Sequence, residues 1–180
     1  MKLKNSIITL NDDEVKICKY IGKKRYEAAR KNGVKDRKIG NQDNDFMDAN
    51  GFGGEFAFCK MFNLMPDFFI KQPNSGLPEY DAVFSFGIKV DVKTTPYDFG
   101  RLLVAKWKSG DVDLYALMTG LLPTFTFRGF ATKELALDKG NLRCFGHGEG
   151  YALEQSELLD ITDIYNIKES CSKIKTLNTL

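Results

Sequence analysis

A chain of 180 residues, 43% hydrophobic and 12% aromatic, has enough apolar side chains for one core and too many to be disordered. No apolar run reaches the ~18–20 residues of a transmembrane helix, and the first residues carry no signal-peptide pattern, so a cytoplasmic protein without a membrane partner is expected. The net charge of +2 excludes a uniformly basic protein, but the cations are unevenly spread.

The first predicted element is a basic helix over residues 12–33, opening near Asn11-Asp12-Asp13 and closing at Asn32-Gly33. Val15, Cys18, Ile21 and Ala28 make its buried stripe. Lys23, Lys24 and Arg30 belong to a dense basic run, and such a face tracks phosphates without regard to sequence. The plainer reading is a solvated face. Residues 39–50 are polar and acidic and read as a loop. A second helix follows over 51–62, entered through Gly51, Gly53 and Gly54. Glu55 shares a face there with Phe58, Cys59 and Phe62, which plants a carboxylate on an apolar stripe. An ionised carboxylate in that place needs a partner or a metal, and Lys60 is the partner the local sequence offers.

Residues 81–86 and 88–94 alternate in polarity on either side of Gly87 and predict a β-hairpin. If the strands pair, Asp81 lies near Asp91 and Lys93 on one face, with Lys89 on the same side of the second strand. Two close carboxylates repel unless a cation compensates them. Mg²⁺ takes hard oxygen ligands of this kind, with Mn²⁺ as the alternative ion. A lysine beside such an ion completes the equipment for hydrolysing a phosphodiester, in a pocket expected to be wet. Glu79, two residues before Asp81, is the alternative first acid.

Asp81, then Asp91-Val92-Lys93 ten residues later, with Glu55 in the helix before them, resembles the PD-(D/E)XK superfamily of restriction-endonuclease-like nucleases. The resemblance covers residues 50–130 and implies an α/β fold with a restriction-endonuclease-like core, a central mixed β-sheet flanked by helices. It further implies a Mg²⁺-dependent deoxyribonuclease of phage or bacterial DNA processing. In that reading Asp81, Asp91, the Val92 carbonyl and Glu55 hold the metal. Glu55, Asp81, Asp91 and Lys93 form the catalytic set, Lys93 acts on the attacking water, and Lys89 joins Lys23, Lys24 and Arg30 in contacting DNA. Two departures stand against the pattern. Pro78 precedes Glu79 rather than Asp81, and only Trp107–Val112 fills the place of a core helix between the third and fourth strands. The rival reading is a DNA-binding or assembly module that keeps the fold without turnover.

Further strands are predicted at 101–106, 113–119, 124–130 and 151–153, with a short helix from a Thr132 cap through Leu137 and a last helical turn at 156–159. All belong to one domain. Cys18, Cys59 and Cys171 sit among apolar residues as core packing, and Cys144 with His147 makes at most half a zinc site. Over 161–180, Ile164, Ile167, Cys171 and Ile174 form an amphipathic stripe, suited to the chain's own core or to a homodimer seam.

Overall fold

The strand β5, Leu114–Leu121, is buried along its first six residues, so apolar layers must cover the sheet on both sides of it. The structure, a computed structural model, describes residues 2–33, 44–70, 80–84, 87–106, 111–145 and 148–162. It is a mixed α/β fold. Around β5 runs a five-stranded sheet in the order β1-β6-β5-β3-β2. Its other strands are β1 (Ile7–Thr9), β2 (Ala82–Val83), β3 (Lys89–Thr95) and β6 (Thr124–Thr132). The pair β3–β5 is parallel, and the other pairings are antiparallel.

A parallel pair needs a crossover. Here the described part of that crossover carries β4 (Leu102–Ala105), which leaves the central sheet and pairs with β8 (Glu149–Leu153). The strand β8 in turn pairs with β7 (Leu142–Cys144), which makes a second, three-stranded sheet. One face of the central sheet carries helices α1 (Asp12–Lys31) and α2 (Asn44–Phe62) over Val90, Val92, Leu114, Ala116, Met118 and a group of phenylalanines. The other face buries Tyr115 and Leu117 against Leu102, Val104 and Leu153 of the second sheet and Ala136 of α3 (Lys133–Ala136).

The first helix forms as its sequence predicts. Asn11 accepts from the Glu14 amide at 2.9 Å and donates its own amide to the Glu14 carboxylate at 2.6 Å, a complete capping box. The second helix differs from expectation. It begins at Asn44, so the latter part of the expected loop is helical and the three glycines lie inside the helix. Two of them are there for proximity rather than entry: a Cβ on Gly54 would overlap the Thr94 side chain of β3, and one on Gly53 would press on Leu122 and Phe125. The helix thus lies unusually close to the sheet.

In the described part of the hairpin Ala82 and Val83 pair with Val90 and Lys89, and Gly87 stands before the second strand at φ 76°. Residues 85 and 86 lie outside the described residues. The expected third strand forms but belongs to the second sheet, β5 runs through Gly120 to Leu121, and the last helical turn is a 3-10 turn at Gln155–Glu157. The strands β1 and β7 had no clear signal. Residues 163–180, with the proposed dimer stripe, lie outside the described residues, as do Glu79 and His147. Among the described residues no helix is long and apolar enough to cross a membrane.

Asp160 fastens the two ends of the described chain. Its carboxylate accepts from the amides of Leu3 at 3.1 Å, Lys4 at 3.3 Å and Ile161 at 2.7 Å. Burial pushes its pKa up, but these three donors together with Lys2 outweigh that and hold it below the usual value. A carboxyl depressed in the folded state stabilises fully above its unfolded pKa near about 4 and loses that contribution as pH falls through the lower folded value. Asp160→Asn should therefore cost about 1–3 kcal/mol at neutral pH, with the gap to the parent closing in melts taken below about pH 4.

The helical layer allows a second check. Helices α1 and α2 meet where a Cβ on Gly22 would lie 2.5 Å from the Ala49 backbone, whereas a Cβ on Gly51 would meet nothing. Two substitutions of the same kind should therefore act with opposite signs. Gly22→Ala should lower stability by about 1–3 kcal/mol through forced separation of the helices. Gly51→Ala should raise it by about 0.5–1 kcal/mol through helix propensity. Chemical denaturation of both variants reads the two signs directly.

Candidate functional site

The residues singled out from sequence fall into two neighbouring groups on the two sides of β3. Strand alternation and register assign them. Val90, Val92 and Thr94 face the helices. Asp91 and Lys93, in register with Tyr115 and Leu117, face the other way.

On that second side Lys93 donates to both oxygens of Asp91 at 2.6 Å. The pair is well covered, with the Asp91 side chain 9% and the Lys93 side chain 21% exposed. This corrects the expectation of a wet pocket around Asp91. The charge that the sequence reading assigned to a metal is supplied within the chain by the neighbouring ammonium.

Asp81 stands at the sheet edge. Among the described residues β2 begins at Ala82 and no strand partners the Val92 amide on that side, and the Asp81 carboxylate accepts from it at 2.8 Å. That bond places a carboxylate oxygen of Asp81 within about 5 Å of the Asp91 Cα, given standard backbone dimensions. Within one strand residue the N–H and C=O point the same way, so the Val92 carbonyl also faces this edge.

On the helix side Glu55 lies on the apolar stripe as predicted, beside the fully buried Phe58 and Cys59. Its partner is Arg25 of α1, which donates through Nη1 to both carboxylate oxygens at 3.1 and 2.8 Å and through Nη2 to the Asp67 carbonyl at 2.7 Å. Lys60, the partner suggested by sequence, instead reaches Glu14 at 2.7 Å. The Arg25 guanidinium also lies 4.7 Å from the Phe52 ring centre. Burial works against its charge, but Glu55, with Asp81 and Asp67 behind it, outweighs that and holds Arg25 more firmly protonated than usual. Cys59 feels the same acids. Burial first, then Glu55, Asp81 and Asp67, push its thiol up to about 12, and Cys18 is likewise pushed up to about 12 by burial, Glu14 and Glu55. Both thiols therefore stay protonated and unreactive.

Asp81 is thus adjacent to both groups, while Glu55 and the Asp91–Lys93 pair lie on opposite faces of β3. Among the described residues no three His, Cys, Asp or Glu side chains gather around one point. Arg25 is the residue that sequence reading passed over. Its signal was present: it falls seven residues after Cys18 and four after Ile21, on the buried stripe of α1.

The basic face of α1 is mixed. Lys23 and Arg30 are exposed, with Arg30 over the Tyr26 ring at 5.1 Å. Lys24 bonds Glu27 at 2.8 Å and its pKa is raised by that bond. Lys89 is engaged by Asp111, which raises its pKa, and lies 5.7 Å from the Tyr80 ring centre. Lys23 and Arg30 are therefore the more available of the four expected phosphate contacts.

A family model described as a family of unknown function (DUF5843) matches residues 4–121. The matched stretch holds Arg25, Glu55, Asp81, Asp91 and Lys93 and stops at the end of β5. No curated protein and no solved structure matches the chain.

The Arg25–Glu55 pair generates a stability prediction. Its side chains are only 20% and 14% exposed, so removing one partner strands the other charge. Arg25→Met should destabilise by about 3 kcal/mol. Adding Glu55→Gln should return most of that loss, because no uncompensated charge remains. Denaturant unfolding of the two single variants and the double variant measures the coupling, and simple additivity would show that the pair does not act as a unit.

Proposed function

The chain belongs to the DUF5843 family, described as of unknown function, and we propose that it is a cytoplasmic, metal-dependent nuclease acting on DNA at the edge of β3. One observation carries this reading. Where β2 leaves β3, the Asp81 carboxylate sits on the Val92 amide, one residue from the covered Asp91–Lys93 pair. Two carboxylates, a backbone carbonyl on the same strand edge and a lysine in so small a region exceed what strand pairing requires.

The donor set suits Mg²⁺ or Mn²⁺, because Asp81, Asp91 and the Val92 carbonyl offer hard oxygens. When bound there, such an ion supplies charge neutralisation at a phosphate and acidifies a coordinated water. The chain's own residues have separate tasks. Asp91 holds the Lys93 ammonium in place through both its oxygens. Lys93 carries a proton and a positive charge beside the attacked phosphate, where electrostatic stabilisation matters most. Hydrolysis adds water oxygen to phosphorus and breaks one ester P–O bond, and the departing oxygen takes up a proton. Glu55 does not enter this set directly. It lies on the helix face of β3, opposite the Asp91–Lys93 pair, and with Arg25 it serves by seating α2 against β3. Lys23 and Arg30 supply salt-sensitive attraction to the phosphate backbone.

The hold of Arg25 on Glu55 also favours a second reading, a DNA-binding or assembly module without turnover, since an acid of the catalytic set that the family resemblance implies is already neutralised. Incubation with supercoiled, linear and single-stranded DNA separates the two. The parent should cleave with Mg²⁺ or Mn²⁺ and not with EDTA. Asp91→Asn, which keeps a bond to Lys93 and hence the fold, should cleave ~10²–10³-fold more slowly. Undiminished cleavage by that variant would remove the site assignment, and tight binding without cleavage by the parent would establish the second reading.

A further inference from the structure

Directly after β3 the chain turns through Pro96, Tyr97, Asp98 and Phe99 before entering β4, and two aromatic rings stand out at this turn. Tyr97 is 67% and Phe99 91% exposed. Leaving a Phe ring in water forgoes stabilisation that folding normally recovers, and a slack loop would fold such rings inward. This loop is held outward. The Gly100 amide donates to the Tyr97 carbonyl at 2.9 Å, and Gln155 Nε2 donates to the carbonyls of Asp98 and Gly100 at 2.8 Å each. The Asp98 carboxylate pairs with Arg128, which also donates to Thr119 Oγ1 at 2.8 Å.

The loop is tied to the face that carries the Asp91–Lys93 pair. Thr95 follows Lys93 by two residues and so shares its face. Its hydroxyl accepts from the Tyr97 amide at 3.4 Å, and a Cβ on Gly100 would overlap the Thr95 side chain. Thr95, about 7 Å of strand beyond Lys93, ends β3, and the turn that carries the two rings starts there. The acids nearby are already matched, Asp98 by Arg128 and Glu154 by Arg101 at 2.6 Å.

We infer that Tyr97 and Phe99 form a stacking platform for unpaired nucleobases, so that this chain engages single-stranded or locally opened nucleic acid. The inference rests on the nuclease reading for its setting and deepens it by naming the form of the substrate. Aromatic stacking suits any base, because every base presents a π-face. A paired base in a closed duplex offers no such face to a protein ring. The held backbone of the turn removes the cost of ordering the loop on binding, which favours this use of it.

The test isolates bases from phosphates. Fluorescence anisotropy compares a labelled oligothymidylate with an abasic oligonucleotide of equal length and charge, in EDTA so that no cleavage intervenes. The parent should prefer the base-bearing strand by about tenfold or more. Tyr97→Ala with Phe99→Ala should abolish that preference while leaving abasic affinity unchanged, and Phe99→Trp should retain it. Equal affinity of the parent for both strands would overturn the inference, as would a preference that survives the double substitution. Absence of a preference together with a dimer broken by the double substitution would overturn it in favour of a protein contact. A base preference in a chain that never cleaves DNA supports the platform and removes the nuclease reading. Cleavage by a parent without base preference does the reverse.

Discussion

The ion pair between Arg25 and Glu55 sets how the helical layer meets the sheet. Two charges on facing apolar stripes can be covered only if they meet, so α1 and α2 have one rotational setting in which both are satisfied. That setting brings Gly22 against the Ala49 backbone and turns Gly54 towards Thr94 of β3. The same guanidinium reaches the Asp67 carbonyl and thereby directs the chain leaving α2, where Phe68 packs on Phe52 and Phe56 at centroid distances of 6.0 and 6.2 Å. Phe58 and Phe62, one and two turns on from Glu55, reach Phe84, Phe127 and Phe130 across the sheet. Helix setting, hairpin position and core packing thus follow from where one arginine finds its carboxylate.

The strand β3 shows how a polar constellation is placed by backbone needs. One side is apolar because α2 lies almost in contact with it. The other carries charge close to a buried tyrosine and leucine, and it is bearable only because Asp91 and Lys93 meet each other. Between them lies the edge beside β2, which among the described residues supplies two paired residues. A strand amide left without a neighbour strand needs an acceptor, and Asp81 provides it. A carboxylate is brought to the edge for a structural reason, and chemistry can then use it.

Much of the fold was legible because its signals are local. The Asn11 cap with Glu14, the alternation through Lys89–Thr94, the unbroken apolar run of β5 and the Thr132 cap each depend on a few adjacent residues. The glycines of α2 misled for a physical reason. Read locally, Gly51, Gly53 and Gly54 break a helix, whereas two of them are required by a sheet that sequence does not display. The departure of β4 into a second sheet was hidden likewise, since strand pattern does not specify a partner. Of the candidate residues, sequence placed Asp91 and Lys93 on one strand face and Glu55 on a covered stripe, as they stand in the structure. It did not identify Arg25 as the partner, because thirty positions separate the two and Lys60 offered a nearer, wrong choice.

The clasp at Asp160 has a consequence for the order of assembly. It joins positions 157 residues apart, and the strand that β1 pairs with is β6, more than a hundred residues downstream. Closing so long a loop carries an entropic cost that nearby contacts do not, and sheets built on distant pairings form slowly. During synthesis α1 and α2 emerge early and can meet each other at once, while β1, although first in the chain, has no strand to join until β6 has been made. The opening residues therefore wait, extended and unpaired, for most of the time that the ribosome takes to finish the domain.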